Sequence, residues 1–211
     1  MPLFFEEKKN SWGSFAVWQI KESEEFFFSN INLSSSDRER IMAEKLPKRR
    51  MEKLACRILL SHLCNEKSIS VYYSENRKPM MDGYKISFSH SGEFAAVAIS
   101  SSPIGIDIEK ISPRFFHLYP RFMHKDEIAV ANTKNPEDLA LYWCAKEAMF
   151  KIYDYKFLDL RNDLRVISEN EGKIIINNSE SHSVKFAKYV IDNYMVVVSI
   201  PLEECLQNVI L

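Results

Sequence analysis

The stretch Gly105-Ile106-Asp107-Ile108-Glu109 alternates apolar and acidic side chains after its first glycine. Successive side chains of a β-strand point to opposite faces, so the pattern predicts a strand with both isoleucines in the core and both carboxylates on the other face. Two like charges at this spacing repel each other, and a hard cation such as Mg²⁺ relieves the repulsion. The stretch therefore indicates a metal site, and an edge strand with a solvated polar face is the alternative.

A second motif, Trp143-Cys144-Ala145-Lys146-Glu147-Ala148-Met149-Phe150-Lys151, predicts a helix. Glu147 and Lys151 are four residues apart and share one face of that helix. Together with Lys146 they offer a third carboxylate and two ammonium groups, which suit a pyrophosphate. An ordinary solvated ion pair between Glu147 and Lys151 is the alternative.

Two features upstream add groups that bind phosphate. Ser87-Phe88-Ser89-His90-Ser91-Gly92 places hydroxyls and an imidazole at the end of a strand, beside a turn. Residues 45–57 carry six basic side chains against the single acidic Glu52. On a helix, Arg49, Lys53 and Arg57 form one stripe, and arginine matches phosphate oxygens with two hydrogen bonds. A structural histidine and a solvated helix face are the alternatives.

The bulk composition is that of a soluble globular protein, with 46% hydrophobic and 27% charged residues in 211. The net charge of −1 favours neither nucleic acid nor a membrane surface as partner. No apolar run approaches the roughly 20 residues that span a bilayer, and the N-terminus lacks the residue order of a secretory signal. Cys56, Cys64, Cys144 and Cys205 show no metal-ligand spacing and are expected to be buried thiols. We therefore expect a cytoplasmic protein.

The chain is expected to fold as an α+β protein in two halves, residues 1–101 and 102–211, with a ligand site in the cleft between them. Strands are predicted at 14–20, 69–74, 85–89, 94–100, 104–108, 164–167, 173–176, 184–189 and 194–200. Helices are predicted from 34 to about 46, and at 47–65, 114–133 and 136–153. The hairpins at 85–100 and 184–200 resemble each other, which leaves duplication and ordinary recurrence of sheet cores as alternatives.

In this order, the motifs resemble those of the 4′-phosphopantetheinyl transferases, in the surfactin-synthetase-activating and enterobactin-type branch with two halves in one chain. The resemblance covers about residues 47–151. It implies two pseudo-symmetric α+β halves and a Mg²⁺-dependent transfer of the phosphopantetheine arm of coenzyme A to a serine of an acyl or peptidyl carrier protein. The enzyme would be of the holo-acyl-carrier-protein synthase type, release 3′,5′-ADP and act as a monomer.

The resemblance also implies roles for individual residues. Asp107, Glu109 and Glu147 match the Mg²⁺ ligands. The residues expected to contact coenzyme A are Arg49, Arg57, Lys78, Ser89, His90, Lys146 and Lys151. Glu147 is the expected base, directly or through a water, with Lys151 neutralising charge and Glu127 as the alternative base. Arg77 stands where the family has a glycine before Lys78, which puts the geometry there in question.

Two further functions remain open from the sequence: a Mg²⁺-dependent nucleotide pyrophosphate hydrolase, and a non-catalytic module that binds a carrier protein or nucleotide. A carrier protein would dock on an aromatic and basic surface after the acidic strand. The expected members of that surface are Phe115, Phe116, Phe122, Met123, Arg114, Arg121 and Lys125. Packing of the apolar members in the core is the other interpretation of this cluster.

Overall fold

The computed structural model describes residues 3–9, 12–154, 158–176 and 180–202. The chain divides into two compact units, unit 1 (Met1–Ser102) and unit 2 (Pro103–Leu211), each with its own hydrophobic core. Both units combine helices with antiparallel sheet, so the protein is of the α+β class. Of the four cysteines, Cys205 lies outside the described residues.

Unit 1 has a four-stranded antiparallel sheet covered by one long helix. Its elements are β1 (Leu3–Lys9), β2 (Gly13–Gln19), α1 (Glu24–Asn30), β3 (Asn32–Leu33), α2 (Ser35–Met42), α3 (Pro47–Cys64), β4 (Ser68–Ile69), β5 (Tyr72–Tyr73), β6 (Pro79–Met80), β7 (Lys85–Ser91) and β8 (Phe94–Ser100). The main sheet has the order β1-β2-β8-β7, and α3 packs on β2 and β8. The two-residue strands form separate small ladders.

Unit 2 has a five-stranded antiparallel sheet, again covered by one long helix. Its elements are β9 (Gly105–Lys110), α4 (Phe115–Phe122), α5 (Lys125–Val130), α6 (Pro136–Ile152), β10 (Leu164–Val166), β11 (Glu171–Ile176), β12 (Glu180–Ile191) and β13 (Tyr194–Pro201). The sheet has the order β10-β11-β12-β13-β9, and α6 packs on β13 and β9. Within the described residues, β9 therefore ends this sheet.

The long helices begin where local chemistry favours a start. Both α3 and α6 have proline as their first residue, where its missing N–H costs no hydrogen bond. The side chain of Asn135 caps α6, whereas Leu46 precedes α3 without a side-chain cap. Asn65 ends α3 in the left-handed conformation that asparagine tolerates.

Several elements differ from the expectations drawn from sequence. The helix expected at 114–133 is broken in two, because His124 and Glu127 form a capping box that starts α5. The strand expected at 69–74 is reduced to short pairings on either side of Ser70. The sequence patterns missed β1 and α1. Within the described residues, no helix is both long and apolar enough to cross a membrane.

Candidate active site

The acidic strand β9 lies directly under α6 because Gly105 has no side chain. A Cβ at this position would overlap the carbonyl oxygen of Ala148 on α6. The close approach places the carboxylates of β9 beside the polar residues of α6. Ile106 and Ile108 are buried, as predicted, but on the face of the sheet opposite to α6. The carboxylates, rather than the isoleucines, thus face the helix.

Asp107 is buried and paired with Lys151. The Nζ atom of Lys151 lies 2.7 Å from Asp107 Oδ1 and donates a second hydrogen bond to the Ile106 carbonyl oxygen at 3.0 Å. Burial by itself would lower the pKa of Lys151, but Asp107 and then Glu147 outweigh it and the pKa is raised. Lys151 therefore carries a persistent positive charge at the junction of β9 and α6.

Glu147 is half-buried on α6, near both carboxylates of β9. Burial and then the negative charge of Asp107 raise its pKa to about 7, with a further contribution from Glu109, while Lys151 acts in the opposite direction. The carboxyl group therefore exchanges its proton near neutral pH. A pKa in this range is what a group that accepts a proton during a reaction requires.

Glu109 is paired with a residue of the loop that follows β9. The Nη2 atom of Arg114 lies 2.6 Å from Glu109 Oε2. No periodic pattern signals this contact, since the two residues lie on different elements. The sequence placed Arg114 only in a docking surface, so its pairing with Glu109 was missed.

The three carboxylates carry the chemistry of a hard-cation site. Oxygen donors from Asp107, Glu109 and Glu147 suit Mg²⁺, and the raised pKa of Glu147 reflects its burial and then the repulsion by Asp107 and Glu109. Lys151 and Arg114 supply two positive charges to these carboxyl groups. In the part of the chain that the structure describes, no three acidic, histidine or cysteine residues already converge as metal ligands. The three carboxyl groups fit a divalent cation chemically, and two of them, Asp107 and Glu109, form ion pairs in this structure.

Lys146 and Glu127 form a second pair, inside unit 2. The Nζ atom of Lys146 lies 2.7 Å from Glu127 Oε2 and donates to the carbonyl oxygens of Phe122, Leu160 and Leu164 at 2.8–2.9 Å. Glu127 also accepts hydrogen bonds from the backbone N–H groups of His124 and Val166. Both side chains are buried, Lys146 completely.

This placement speaks against two of the predicted roles. A fully enclosed ammonium group that already donates to three carbonyls has no donor left for coenzyme A. A carboxylate held by Lys146 and two backbone N–H groups cannot act as the alternative base without breaking the pair. We therefore assign Lys146 and Glu127 to the support of α6 rather than to ligand binding or proton transfer.

Arg57 is likewise an interior residue of unit 1. Its Nε and Nη2 atoms donate to the two carboxylate oxygens of Asp37 at 2.6 and 2.8 Å, and Nη2 also reaches the hydroxyl of Tyr73. Burial disfavours the charge of Arg57, but the bidentate pair with Asp37 outweighs it and its pKa is raised. The predicted contact of Arg57 with a phosphate of coenzyme A is therefore revised, because its donors are already used inside the protein.

Arg49 and His90, in contrast, come together at the surface of unit 1. Arg49 Nη1 lies 3.1 Å from each ring nitrogen of His90 and donates to Glu52 Oε2 at 2.9 Å. Glu52 is buried and lies 3.4 Å from His90 Nδ1. Arg49 and His90 were both expected from sequence to contact coenzyme A, whereas the contact of Glu52 with both of them was not expected.

Ser89 and Lys78 are the other two residues of unit 1 that were expected to contact coenzyme A. Ser89 is buried on β7, whereas His90 after it is exposed. The backbone N–H of Lys78 donates to Ser74 Oγ at 3.1 Å. Arg77 has φ of +64°, a conformation that glycine enters freely and that strains a residue with a Cβ.

The proposed docking surface is only partly a surface. Phe115, Phe122 and Met123 are buried in the core of unit 2, where Phe122 contacts the ring of Trp143 edge-on at 5.0 Å between centroids. Phe116 is exposed. Three of the four apolar members are therefore core residues, which agrees with core packing and removes them from the proposed docking surface.

The part of the chain that contains this site matches a known protein family. Residues 103–198 match the model of the 4′-phosphopantetheinyl transferase superfamily. Those residues belong to the 4′-phosphopantetheinyl transferase superfamily. The matched range contains Asp107, Glu109, Glu147 and Lys151, and thus the whole polar junction between β9 and α6.

Curated relatives agree with this membership. The chain is 32% identical over 120 residues to the 4′-phosphopantetheinyl transferase Sfp of Bacillus subtilis. The aligned region covers 54% of this chain and 53% of that protein. It is 30% identical over 137 residues to the transferase gsp of Aneurinibacillus migulanus, covering 62% and 54%. With enterobactin synthase component D of Salmonella typhi it shares 32% over 114 residues, covering 50% and 49%. The matches span about half the length of these relatives.

Proposed function

We propose that this protein transfers the 4′-phosphopantetheine arm of coenzyme A to a serine of an acyl or peptidyl carrier protein and releases 3′,5′-ADP. The observation that carries the proposal is the junction of β9 and α6, where burial and then the charges of Asp107 and Glu109 raise the pKa of Glu147 to about 7 beside Lys151. Superfamily membership of residues 103–198 supports the same reaction.

A divalent cation belongs to the proposal. Asp107, Glu109 and Glu147 would hold Mg²⁺, which supplies positive charge to the pyrophosphate of the donor when bound. Lys151 acts on the same charge: its ammonium group, kept protonated by Asp107, stabilises the negative charge that develops on the departing 3′,5′-ADP.

Glu147 receives the proton of the acceptor serine, directly or through one water molecule. The serine oxygen then forms a bond to the phosphorus that carries pantetheine, and the bond from that phosphorus to the oxygen of 3′,5′-ADP breaks. The pKa of about 7 belongs to Glu147 without a bound cation, and a cation on its carboxylate would lower that pKa. When the cation is bound, a water molecule between Glu147 and the serine is therefore the expected route for the proton.

Unit 1 contributes a separate assignment. We assign Arg49, His90, Ser89 and Lys78 to the phosphates of coenzyme A, since the first two form a cationic and hydrogen-bonding pair at the surface. Glu52 lies beneath that pair and holds Arg49 in place. The proposal further includes a monomeric cytoplasmic protein with neither nucleic acid nor membrane as partner, in keeping with the net charge of −1.

The test is the intact mass of an apo carrier protein after incubation with coenzyme A, Mg²⁺ and the enzyme. We expect a gain of one phosphopantetheine arm, loss of that gain on chelation of the metal, and a rate reduction of at least about 100-fold in Glu147→Gln. Glu137→Gln is the matched control, because it makes the same chemical change in the exposed first turn of α6. It should retain the parent rate.

Other outcomes identify a different function. Release of free phosphopantetheine with no gain in carrier mass would indicate a pyrophosphate hydrolase. Binding of coenzyme A or carrier with no turnover, across a panel of fatty-acid, polyketide and peptide carriers, would indicate a binding module. Full activity of Glu147→Gln would refute the assignment of the base.

A further inference from the structure

We infer that Arg114 is a positioning residue that competes with the divalent cation for Glu109 and thereby sets the affinity of the site. The inference rests on the proposed function, since it concerns the same three carboxylates. No motif identified in the sequence contains Arg114.

The contact itself is a short charged pair. Nη2 of Arg114 lies 2.6 Å from Oε2 of Glu109, within the range of a charge-assisted hydrogen bond. The Glu109 side chain is 20% exposed and the Arg114 side chain 49% exposed. The carboxylate is therefore largely enclosed, whereas the guanidinium group can be hydrated as soon as it leaves.

Arg114 lies in a hydrogen-bonded turn and against an aromatic ring. The N–H of Phe115 donates to the Ser112 carbonyl oxygen, and the N–H of His117 donates to that of Arg114, so the chain turns tightly after β9. The guanidinium carbon lies 4.9 Å from the centroid of the Phe115 ring. That ring is fully buried and lies beside Trp143 of α6.

Arg114 differs in this respect from the other cation of the site. Lys151 projects from α6, is 26% exposed and also donates to a backbone carbonyl at 3.0 Å. Arg114 has a more exposed side chain that stacks on an aromatic ring. When a divalent cation takes the Glu109 oxygens, Arg114 is the partner that gives way, and its stacking on Phe115 keeps it next to the site.

The consequence is measurable without turnover. Removal of Arg114 deletes a competitor for Glu109 and a positive charge next to the cation, so the site should bind a divalent cation more tightly. Mn²⁺ is the probe, and its free fraction is read from its electron paramagnetic resonance signal on titration of the full chain. We expect Arg114→Ala to lower the dissociation constant for Mn²⁺ about fivefold to tenfold, with Arg114→Lys in between.

Two controls separate this effect from a general change in charge or fold. Arg121→Ala removes the same charge from an exposed position on α4 and should leave Mn²⁺ binding unchanged. In a Glu109→Gln background, Arg114→Ala should no longer tighten binding, because the competition takes place at that carboxylate. Thermal unfolding of each variant in the absence of metal checks that it is folded.

Equal or weaker Mn²⁺ binding by Arg114→Ala would overturn the inference, as would an equal gain in Arg121→Ala or an undiminished gain in the Glu109→Gln background. These results leave the proposed transfer intact. Failure of the parent protein to bind Mn²⁺ at all would overturn both the inference and the cation assignment, whereas absence of carrier modification despite Mn²⁺ binding would affect the proposed function alone.

Discussion

Units 1 and 2 contain the same kinds of element in the same order, but they differ in the side chains between the first strand and the long helix. Each unit has a strand, then a proline-initiated long helix, then a hairpin: β2, α3 and β7–β8 in unit 1, and β9, α6 and β12–β13 in unit 2. The first strand pairs with the second strand of the hairpin, and the helix covers both. The likeness suggested by the two hairpins thus extends to the helix and the strand beside it.

The difference lies at the interface of strand and helix. Asp107 is paired with Val197 on β13, and Ala16 is paired with Val97, the residue one hundred positions earlier on β8. By the same register, Glu109 corresponds to Trp18. Unit 1 thus has apolar residues in its core where unit 2 has two carboxylates.

The helices follow the same division. Counted from their first prolines, Glu147 corresponds to Ile58 and Lys151 to His62. Ile58 packs in the core of unit 1, and His62 pairs with Glu6 of β1, which lies on the outer side of β2. A shared frame can therefore carry either an apolar core or a polar site. In unit 2, the acidic strand ends its sheet among the described strands.

One charged feature is common to both units. Arg57 and Lys146 are each the eleventh residue of the long helix, and their partners Asp37 and Glu127 are each the third residue of a preceding short helix. In both cases the pair is buried. Correspondence at this position, outside the polar site, indicates that the buried pair belongs to the frame.

Breaking these pairs should give the largest effects on stability. We expect Asp37→Ala and Glu127→Ala each to lower the free energy of unfolding by about 3–5 kcal/mol, because each leaves a buried cation unpaired. Chemical denaturation, monitored by circular dichroism, measures this free energy. A loss below about 1 kcal/mol in either variant would show that its buried pair does not stabilise the structure common to both units.

Replacement of both partners by apolar residues should affect the stability of the two units differently. Asp37→Leu with Arg57→Met should recover most of the loss, because among the described residues only the Tyr73 hydroxyl loses a hydrogen-bond partner, and a methionine can still pack on the ring of Phe88. Glu127→Leu with Lys146→Met should stay destabilised, since three carbonyls and the N–H groups of His124 and Val166 lose theirs. Equal recovery in both units would contradict this difference.

A side chain at Gly105 tests how closely β9 must approach α6. We expect Gly105→Ala to lower the free energy of unfolding by about 1–3 kcal/mol, since the added Cβ overlaps the Ala148 carbonyl oxygen. Ser14 holds the corresponding register position in β2, so Ser14→Ala is the matched control and should change stability by less than about 0.5 kcal/mol. Thermal unfolding reports both, and equal effects would show that the approach is not specific to unit 2.

The smallest effect is expected at the turn before Lys78. Arg77 has φ of +64°, where a residue with a Cβ is strained, so Arg77→Gly should raise the free energy of unfolding by about 0.5–1 kcal/mol. Asn193 has φ of +63° in the hairpin of unit 2, and asparagine tolerates this conformation, so Asn193→Gly should be nearly neutral. A loss of stability in Arg77→Gly would show that the Arg77 side chain contributes more than its backbone costs.

Much of the fold followed from local patterns. Alternation predicted β2, β8, β9 and β13 within one or two residues, and proline at the first position of α3 and α6 located both helices. The break between α4 and α5 did not follow, because a histidine cap is a weak signal in sequence. The site was predicted as a set of residues, and their assignment as ligands stays a proposal.

By itself, the sequence determined which side chains share a face: Asp107 with Glu109 on a strand, and Glu147 with Lys151 on a helix, because these periods are properties of the backbone. Only the tertiary structure decided which charged groups are enclosed. Arg57 and Arg49 belong to the same basic segment, yet one is buried against Asp37 and the other lies at the surface beside His90. Burial and pairing depend on elements distant in sequence, so a local pattern cannot distinguish a ligand-binding cation from an interior one.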